Sequence, residues 1–332
     1  MIPNTVLIRS VLAGALAAIA ALLMLASGAA LGQAWPTKPV RIMHGFGSGG
    51  PADIFARLVA AYFSERVGRQ VLVEGKPGAG STVGANYVAK SDPDGYRLYL
   101  MVSGHSTAPG LYKSLRYNAV EDFTMISMLA NSPFAIFVSP GSRYASIQDL
   151  IRIARAEPGA IPYGTAGVGS GMHLVAVLLQ TSFGIQMNHI PYKGGNAANL
   201  ALMSGEVPVV FNSVAGVTPF IESGKVRVLA VTSKERYAPL PNAPTLAETV
   251  LPDFDARAWY ALAGPKKLPA PIVSKLNEIV HSALNSREFA DKLLVQGAQP
   301  WPTSPREAQE FLASEVARWT KAISDAKIQL AE

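Results

Sequence analysis

Hydrophobic and polar positions alternate between two periods along this chain. Val40-Arg41-Ile42-Met43-His44 reads as a strand and runs into a glycine-rich turn. After the turn Ile54, Leu58 and Tyr62 lie beside Phe55, Val59 and Phe63, a continuous i, i+4 stripe that predicts a helix. Gln70–Glu74 reads as a second strand and Arg97–Val102 as a third, entered through the turn Asp92-Pro93-Asp94-Gly95. Ala135–Val138 is a further strand, leading into a helix over Ser146–Ala156 that stops before Pro158-Gly159. A second unit then runs to about residue 250, with strands near Ile161–Tyr163, Met187–Pro191, Pro208–Phe211 and Val226–Thr232, and a helix over Leu174–Phe183. Pro239, Pro241, Pro244 and Pro252 mark a loop-rich return, and the tail predicts helices near Pro271–Asn285, Arg287–Gln296 and Pro305–Ala326. Short strands alternating with amphipathic helices predict an α/β fold with a mainly parallel sheet. No repeat exists beyond the shared strand, glycine loop and helix design.

The first residues change the picture. Arg9 is the one charged side chain before Lys38, Val11–Leu25 is almost wholly apolar, and small residues follow from Ala26 to Ala34. A positive start, an apolar run and a small-residue exit predict a cleaved secretory signal peptide over residues 1–34, with Gly32–Gln33 and Ala34–Trp35 as the candidate junctions. A membrane anchor would need ~20 apolar residues and a basic stop; no basic cluster follows, and Trp35-Pro36-Thr37-Lys38-Pro39 reads as a mature start. The chain has no cysteine, which excludes a lipidated cysteine, disulfides and thiolate chemistry. The expected destination is the periplasm. Removing Arg9 takes the net charge from +6 to +5, and no basic run exceeds Lys266-Lys267, so no nucleic-acid footprint is present.

Chemistry concentrates in two glycine-rich loops. The first, Gly45-Phe46-Gly47-Ser48-Gly49-Gly50-Pro51-Ala52-Asp53, leaves a strand and opens a helix. Gly50 suits the N-cap, Pro51 the first helical position and Asp53 the third. The second, Gly164 to His173, also joins a strand to a helix and adds hydroxyls at Thr165 and Ser170. Free amides at a helix start favour an anion, and glycines let a ligand approach the backbone. One such loop in each half, facing across a cleft at the carboxyl ends of the strands, predicts capture of a carboxylate. Three or four charge-assisted bonds at roughly 1.5–3 kcal/mol each approach the ~8 kcal/mol of a micromolar complex. The structural alternatives are that Asp53 only stabilises its helix start, and that Thr165 and Ser170 only cap theirs.

Gly45-x-Gly47-x-x-Gly50 also matches the dinucleotide fingerprint, with Glu74 ending the next strand where a ribose-binding acid would sit. Against a Rossmann-type oxidoreductase stand export, the ring of Pro51 and charge of Asp53 where a pyrophosphate would lie, and the lack of an acid–base pair. No G-x-S-x-G elbow occurs, Gly75–Ser81 lacks the lysine of a P-loop, and His44, His105, His173, His189 and His281 have no metal-ligand spacing. No catalytic residue, metal or cofactor is expected, and the chain is read as a binding protein rather than an enzyme.

Taken in order, these segments resemble the substrate-binding proteins of tripartite tricarboxylate transporters, the Bug-type receptors. The resemblance runs from Trp35–Arg41 through the Phe46 loop, Glu74, Pro77–Gly80, Pro93–Tyr96, Tyr117 and Asp122-Phe123. It continues through Tyr163, Gly167-x-Gly169-Ser170, His173, His189-x-Pro191-Tyr192-Lys193-Gly194, Gly224-Lys225, Leu229–Thr232, Trp259-Tyr260, Pro269–Pro271 and Trp319. It implies a type II periplasmic-binding-protein fold, two α/β domains with a hinge and a cleft between them. The expected boundaries are 35–135 and 256–332 for the first domain and 136–255 for the second. Carried over by position, the ligand-binding residues are Phe46, Ser48, Gly50, Ala52 and Asp53, then Thr165, Ala166, Gly169, Ser170 and His173. Asn212 stands where the family usually has an Asp near the ligand, a change that would suit a second anionic group and disfavour an amino group. The first loop of the family is typically proline-rich with hydroxyls before the Asp; here Gly45, Gly47, Pro51 and Ala52 replace them, which predicts a loose loop until ligand binds. The implied partners are a small organic carboxylate (a di- or tricarboxylate, or an aromatic acid) and membrane permease subunits, with the receptor a monomer. A sensory receptor for a signalling system is the alternative role.

Overall fold

The computed structural model describes residues 35–325, so the expected signal peptide lies outside the described residues. The compact body begins at Pro39. Among the described residues no helix is long and apolar enough to cross a membrane.

Three parallel strands begin the fold: β1 (Val40–His44) lies between β2 (Val71–Gly75) and β3 (Arg97–Val102). Between β1 and β2 runs α1 (Pro51–Val67), ended by the left-handed Gly68. The helix buries Phe55, Val59 and Phe63 with Ala56 and Ala60, while Ile54, Leu58 and Tyr62 are only half-buried. The buried stripe is therefore narrower than the sequence pattern. Each fully buried aromatic or aliphatic side chain contributes roughly 1.5–3 kcal/mol. Two short helices follow, α2 (Thr82–Ala89) and α3 (Gly104–Leu111).

The centre departs from the expected parallel arrangement. β4 (Phe123–Val138) is one 16-residue strand, and its first part pairs antiparallel with β9 (Arg257–Pro265), which itself pairs antiparallel with β3. From Phe134 onward β4 changes partners, to β7 (Val209–Ser213) and β8 (Arg227–Val231). Next to β7 lies β5 (Pro162–Thr165), parallel to β7 and to β6 (Asn188–Pro191). The path is β2-β1-β3-β9-β4-β7-β5-β6. The long β4, which pairs in both parts of the sheet, and β9 run against their neighbours, and this makes the sheet mixed.

The helices between these strands are α4 (Ile147–Ala156, capped by Ser146), α5 (Gly171–Phe183) and α6 (Gly195–Ser204), then the short α7 (Thr218–Glu222) and α8 (Leu246–Thr249). The chain ends with α9 (Ala270–Leu284), α10 (Arg287–Val295), the two-residue β10 (Gln299–Pro300) and α11 (Pro305–Asp325). Among the described residues, buried clusters form on both sides of this centre. Met43, Tyr99, Phe123 and Trp259 pack with Ala308 and Leu312 of α11, and Phe137, Leu202, Val210 and Val231 form the other. The buried Glu315 of α11 accepts from the indole N–H groups of Trp259 (3.3 Å) and Trp319 (3.0 Å), fixing the last helix to β9.

Both crossings between the halves meet at Thr232, which is fully buried. Its hydroxyl accepts from Phe134 N (2.9 Å), its amide donates to Phe134 O (2.9 Å), and its carbonyl accepts from Ala256 N (3.0 Å). One residue thus ties the partner change in β4 to the approach of β9.

Candidate functional site

The first loop is shaped by a buried relay. Phe46 N–H points to His44 Nδ1 (3.4 Å), His44 Nε2 meets Asp53 Oδ1 (3.2 Å), and Asp53 Oδ2 accepts from Gly49 N (3.0 Å) and Arg57 Nε (2.9 Å). Because Nδ1 faces a donor, the ring proton belongs on Nε2 and is donated to Asp53. Burial pushes the His44 imidazole below its ordinary pKa, which keeps it neutral. The Asp53 carboxyl is held below the ordinary range by the bonds from Arg57 and Gly49, which outweigh its desolvation. The loop is therefore braced from Phe46 to Gly49 in this structure.

The second loop is shaped from behind by stacked rings. Tyr163, His189 and His173 form a pile with centroids 5.0 and 4.2 Å apart. His189 Nε2 meets Thr165 Oγ1 (2.7 Å), and His173 Nδ1 accepts from Gly169 N (3.3 Å). Burial lowers both histidines to about 4, so both are neutral. Thr165 Oγ1 accepts from Gly167 N (3.1 Å), and Ser170 Oγ donates to Gly167 O (2.8 Å) while capping α5 at His173 N (3.3 Å). These hydroxyls serve the loop itself.

Between the loops lies a narrow cavity of about 30 Å³. Its wall contains the starts of four helices: Gly50, Pro51 and Ala52 of α1, Ser103 and Gly104 of α3, Gly171 and Met172 of α5, and Gly195 of α6. Phe46, Val102, Ala166, Ala258 and Tyr260 complete it, and no lining residue carries a charge. The first amides of a helix have no partner within the helix, and each N-terminus carries roughly half a positive charge. Four helix starts bordering one largely apolar space suit an anion without a basic side chain. The edges of Phe55 and Tyr260 pack at 4.4 Å, and Tyr260 Oη bonds Ser213 Oγ (3.2 Å), so this wall is fixed.

The halves touch at the rim. Tyr112 Oη donates to Val168 O (3.1 Å), and Thr107 Oγ1 to Gly169 O (3.5 Å). A Cβ on Gly169, whose φ is +77°, would stand 2.2 Å from Tyr112 Oη. On another side the backbone of Gly47 faces Lys193 O, 2.5 Å from where a Cβ would be.

Of the residues singled out from the sequence, Phe46, Gly50, Ala52 and Ala166 line the cavity. Gly169 sits at the rim. Ser48 is exposed and does not line it. Asp53, Thr165, Ser170 and His173 stand behind the cavity wall, where their hydrogen bonds brace the loops. Asn212 is fully buried beneath Gly195, donating from Nδ2 to Gly195 O (3.0 Å) and Asn199 Oδ1 (2.9 Å) and accepting at Oδ1 from Ser213 N (2.9 Å). Both of its N–H donors and its Oδ1 are engaged there, so it supports the start of α6. Sequence reasoning passed over the starts of α3 and α6; the strand-then-glycine pattern at Ser103-Gly104 and Gly194-Gly195 is the signal that marks them.

Residues 55–328 match the model of the tripartite tricarboxylate transporter family receptor. The chain belongs to this family. It is 39% identical over 298 residues, 89% of this chain and 86% of the relative, to an Agrobacterium vitis protein from the TAR-I ttuE-ttuC' intergenic region. It is 33% identical to the protein BugT of Bordetella pertussis, across 89% of this chain and 91% of that one. The structure of R. palustris Rpa4515 with adipate aligns with a TM-score of 0.85 and 34% identity, over 90% of this chain and all of that one. The fold is that of periplasmic binding proteins, and the family consists of solute-binding receptors rather than enzymes. The dinucleotide reading of the first loop falls with this result, and Glu74 pairs with Arg41 (3.4 Å) and Lys76 (3.5 Å).

Proposed function

We propose that this receptor captures a small organic carboxylate in the cavity between its two glycine loops and delivers it to membrane permease subunits of a tripartite transporter. The observation that carries the reading is the convergence of four helix N-termini on a space with no charged wall residue. Such a site prefers an anion small enough to be wrapped by backbone, and charge-assisted bonds to its amides are worth about 1.5–3 kcal/mol each. Adipate in the related Rpa4515 structure supports the same ligand chemistry here.

The two cores and the partner change at Pro133/Phe134 support lobes that follow residues 35–135 with 256–332, and 136–255. The lobes close by bending at Phe134 and Thr232–Ala256, and the Tyr112 and Gly47 contacts belong to the closed form. The protein acts as a monomer in the periplasm after removal of residues 1–34.

The test is calorimetric titration of mature protein with small carboxylates and with their neutral amides. Acids are expected to bind at micromolar concentration and the matching amides at least tenfold more weakly. Equal binding of acid and amide removes the reading.

A further inference from the structure

Strand β9 has two faces. Ala258 and Tyr260 line the cavity between the loops, so Arg257 and Trp259, one residue out of step, face the opposite side of the sheet. Asn131 of β4 stands directly across from Trp259 and shares that side. Helix α11 packs over it with Phe311, Glu315 and Arg318, spaced i, i+4 and i+7 along one stripe. Between the strand pair and the helix lies a pocket of about 500 Å³, its wall completed by Trp301 and Asp255. That volume is in the range of small-molecule sites. It shares no wall residue with the cavity between the loops.

The apolar part of this wall is aromatic. Phe311 meets the rings of Trp259 and Trp301 edge-on, with centroids 5.7 and 4.8 Å apart. Trp259 is buried, whereas Trp301 and Phe311 are half-buried and leave ring surface open to a planar guest.

The polar part is unevenly used. Glu315 Oε2 accepts from the indoles of Trp259 and Trp319, and Oε1 pairs with Arg318 Nη2 (2.8 Å). Asp255 Oδ1 accepts from Arg257 Nε (3.1 Å) and Lys234 N (3.3 Å), and the Asp255 carbonyl accepts from Arg318 Nη1 (3.2 Å). Of the four carboxylate oxygens only Asp255 Oδ2 is left. The donors are far from exhausted. Arg257 uses Nε alone, and among the described residues its two terminal nitrogens have no acceptor. The Asn131 side-chain amide and the Trp301 indole N–H have none either. Spare donors beside engaged carboxylates favour a guest that brings an anion, and the guanidinium fork matches a carboxylate.

We infer that this pocket is a second binding site, for a planar aromatic acid whose ring lies against Trp301 and Phe311 and whose carboxylate takes the terminal N–H groups of Arg257. The site is separate from the cavity between the loops and does not depend on what is captured there.

The experiment titrates isotope-labelled mature protein and Arg257→Gln with 2-naphthoate, 2-naphthamide and cyclohexanecarboxylate, reading the amide and indole N–H signals by NMR. Arg257 and its one ion pair are exposed, so the variant is expected to fold, and unchanged thermal unfolding without ligand checks this. The expected result is a saturable shift of the Trp301 indole and Asn131 side-chain signals with 2-naphthoate. At these signals the neutral amide and the non-aromatic acid bind at least threefold more weakly, and Arg257→Gln weakens 2-naphthoate about three- to tenfold. No saturable shift of these signals overturns the site, as do shifts confined to Ala52, Gly104, Met172 and Gly195, which report binding between the loops alone. Equal affinity of the acid and its amide in wild type overturns recognition of an anion there, whatever the variant does. Unchanged affinity of a folded Arg257→Gln overturns the part given to Arg257.

Discussion

Replacing Asp53 separates a ligand contact from a loop brace, because the two roles predict opposite signs. The carboxylate is 4% exposed and holds His44, Gly49 and Arg57 at 3.2, 3.0 and 2.9 Å. In Asp53→Ala, the exposed Arg57 and the exposed Gly49 amide recover water, whereas His44 Nε2 is left buried without a partner. A buried donor without its partner costs about 1–3 kcal/mol, and the lost charge-assisted bonds add about 1 more. A loss of about 2–4 kcal/mol lowers the melting temperature by roughly 4–12 °C for a chain of this size. Asp53→Asn keeps the shape and one acceptor, so about 1 kcal/mol is expected. Both variants release Phe46 and Gly49 from the relay, and carboxylate affinity falls, about tenfold for Asp53→Ala. A carboxylate facing the ligand would instead repel an anionic solute, and its neutralisation would strengthen binding. Differential scanning calorimetry with ligand titration decides: Asp53→Asn with wild-type stability and tighter carboxylate binding refutes the brace.

Three further outcomes follow from the same geometry. Tyr112→Phe removes the bond to Val168 O, worth about 1 kcal/mol, and should weaken any ligand about fivefold through faster dissociation; stopped-flow rates with an altered ranking of ligands would contradict a rim contact. Asn212→Asp turns a donor into an acceptor against Gly195 O and Asn199 Oδ1, and should cost about 2–4 kcal/mol of stability with ligand ranking unchanged, read by chemical denaturation. His105, His173 and His189 are held neutral down to about 4 by burial, while an unfolded chain protonates them near 6.5. The unfolded state binds more protons between these values, so stability is full above about pH 6.5 and falls toward pH 4. The slope is up to about 1.4 kcal/mol per pH unit for each histidine. Urea unfolding at about pH 7 and about pH 5 with equal stabilities would show the histidines are not buried neutral.

The outer parts of this fold were legible because their strands and helices follow simple periods. β1, β2 and β3, the helices α1 and α4, and the three long C-terminal helices all lie within a few residues of the positions predicted. The centre was not. The Asn131-Ser132-Pro133 stretch resembles a boundary, yet it lies inside β4, paired in register with β9, and Ser132 Oγ donates besides to Gly297 O (2.7 Å). β9 is rich in alanine, which has little strand preference, and is held by pairing on both edges. Short helices rich in Gly, Ser and Asn, such as α3 and α6, look like loops although their first residues line the cavity. For the site, both loops are legible, but residue type alone does not reveal that Asp53, Thr165, Ser170 and His173 hydrogen-bond the backbone of the loops, and Asn212 that of α6.

The most direct test of the account is an amide NMR titration of isotope-labelled mature protein with the tightest-binding carboxylate. Backbone N–H signals of Ala52, Gly104, Met172 and Gly195, one from each helix start, are predicted to shift strongly downfield together and to saturate at a single stoichiometric equivalent. Saturation that leaves these four signals in place, with the largest changes elsewhere in the protein, would contradict capture by helix N-termini.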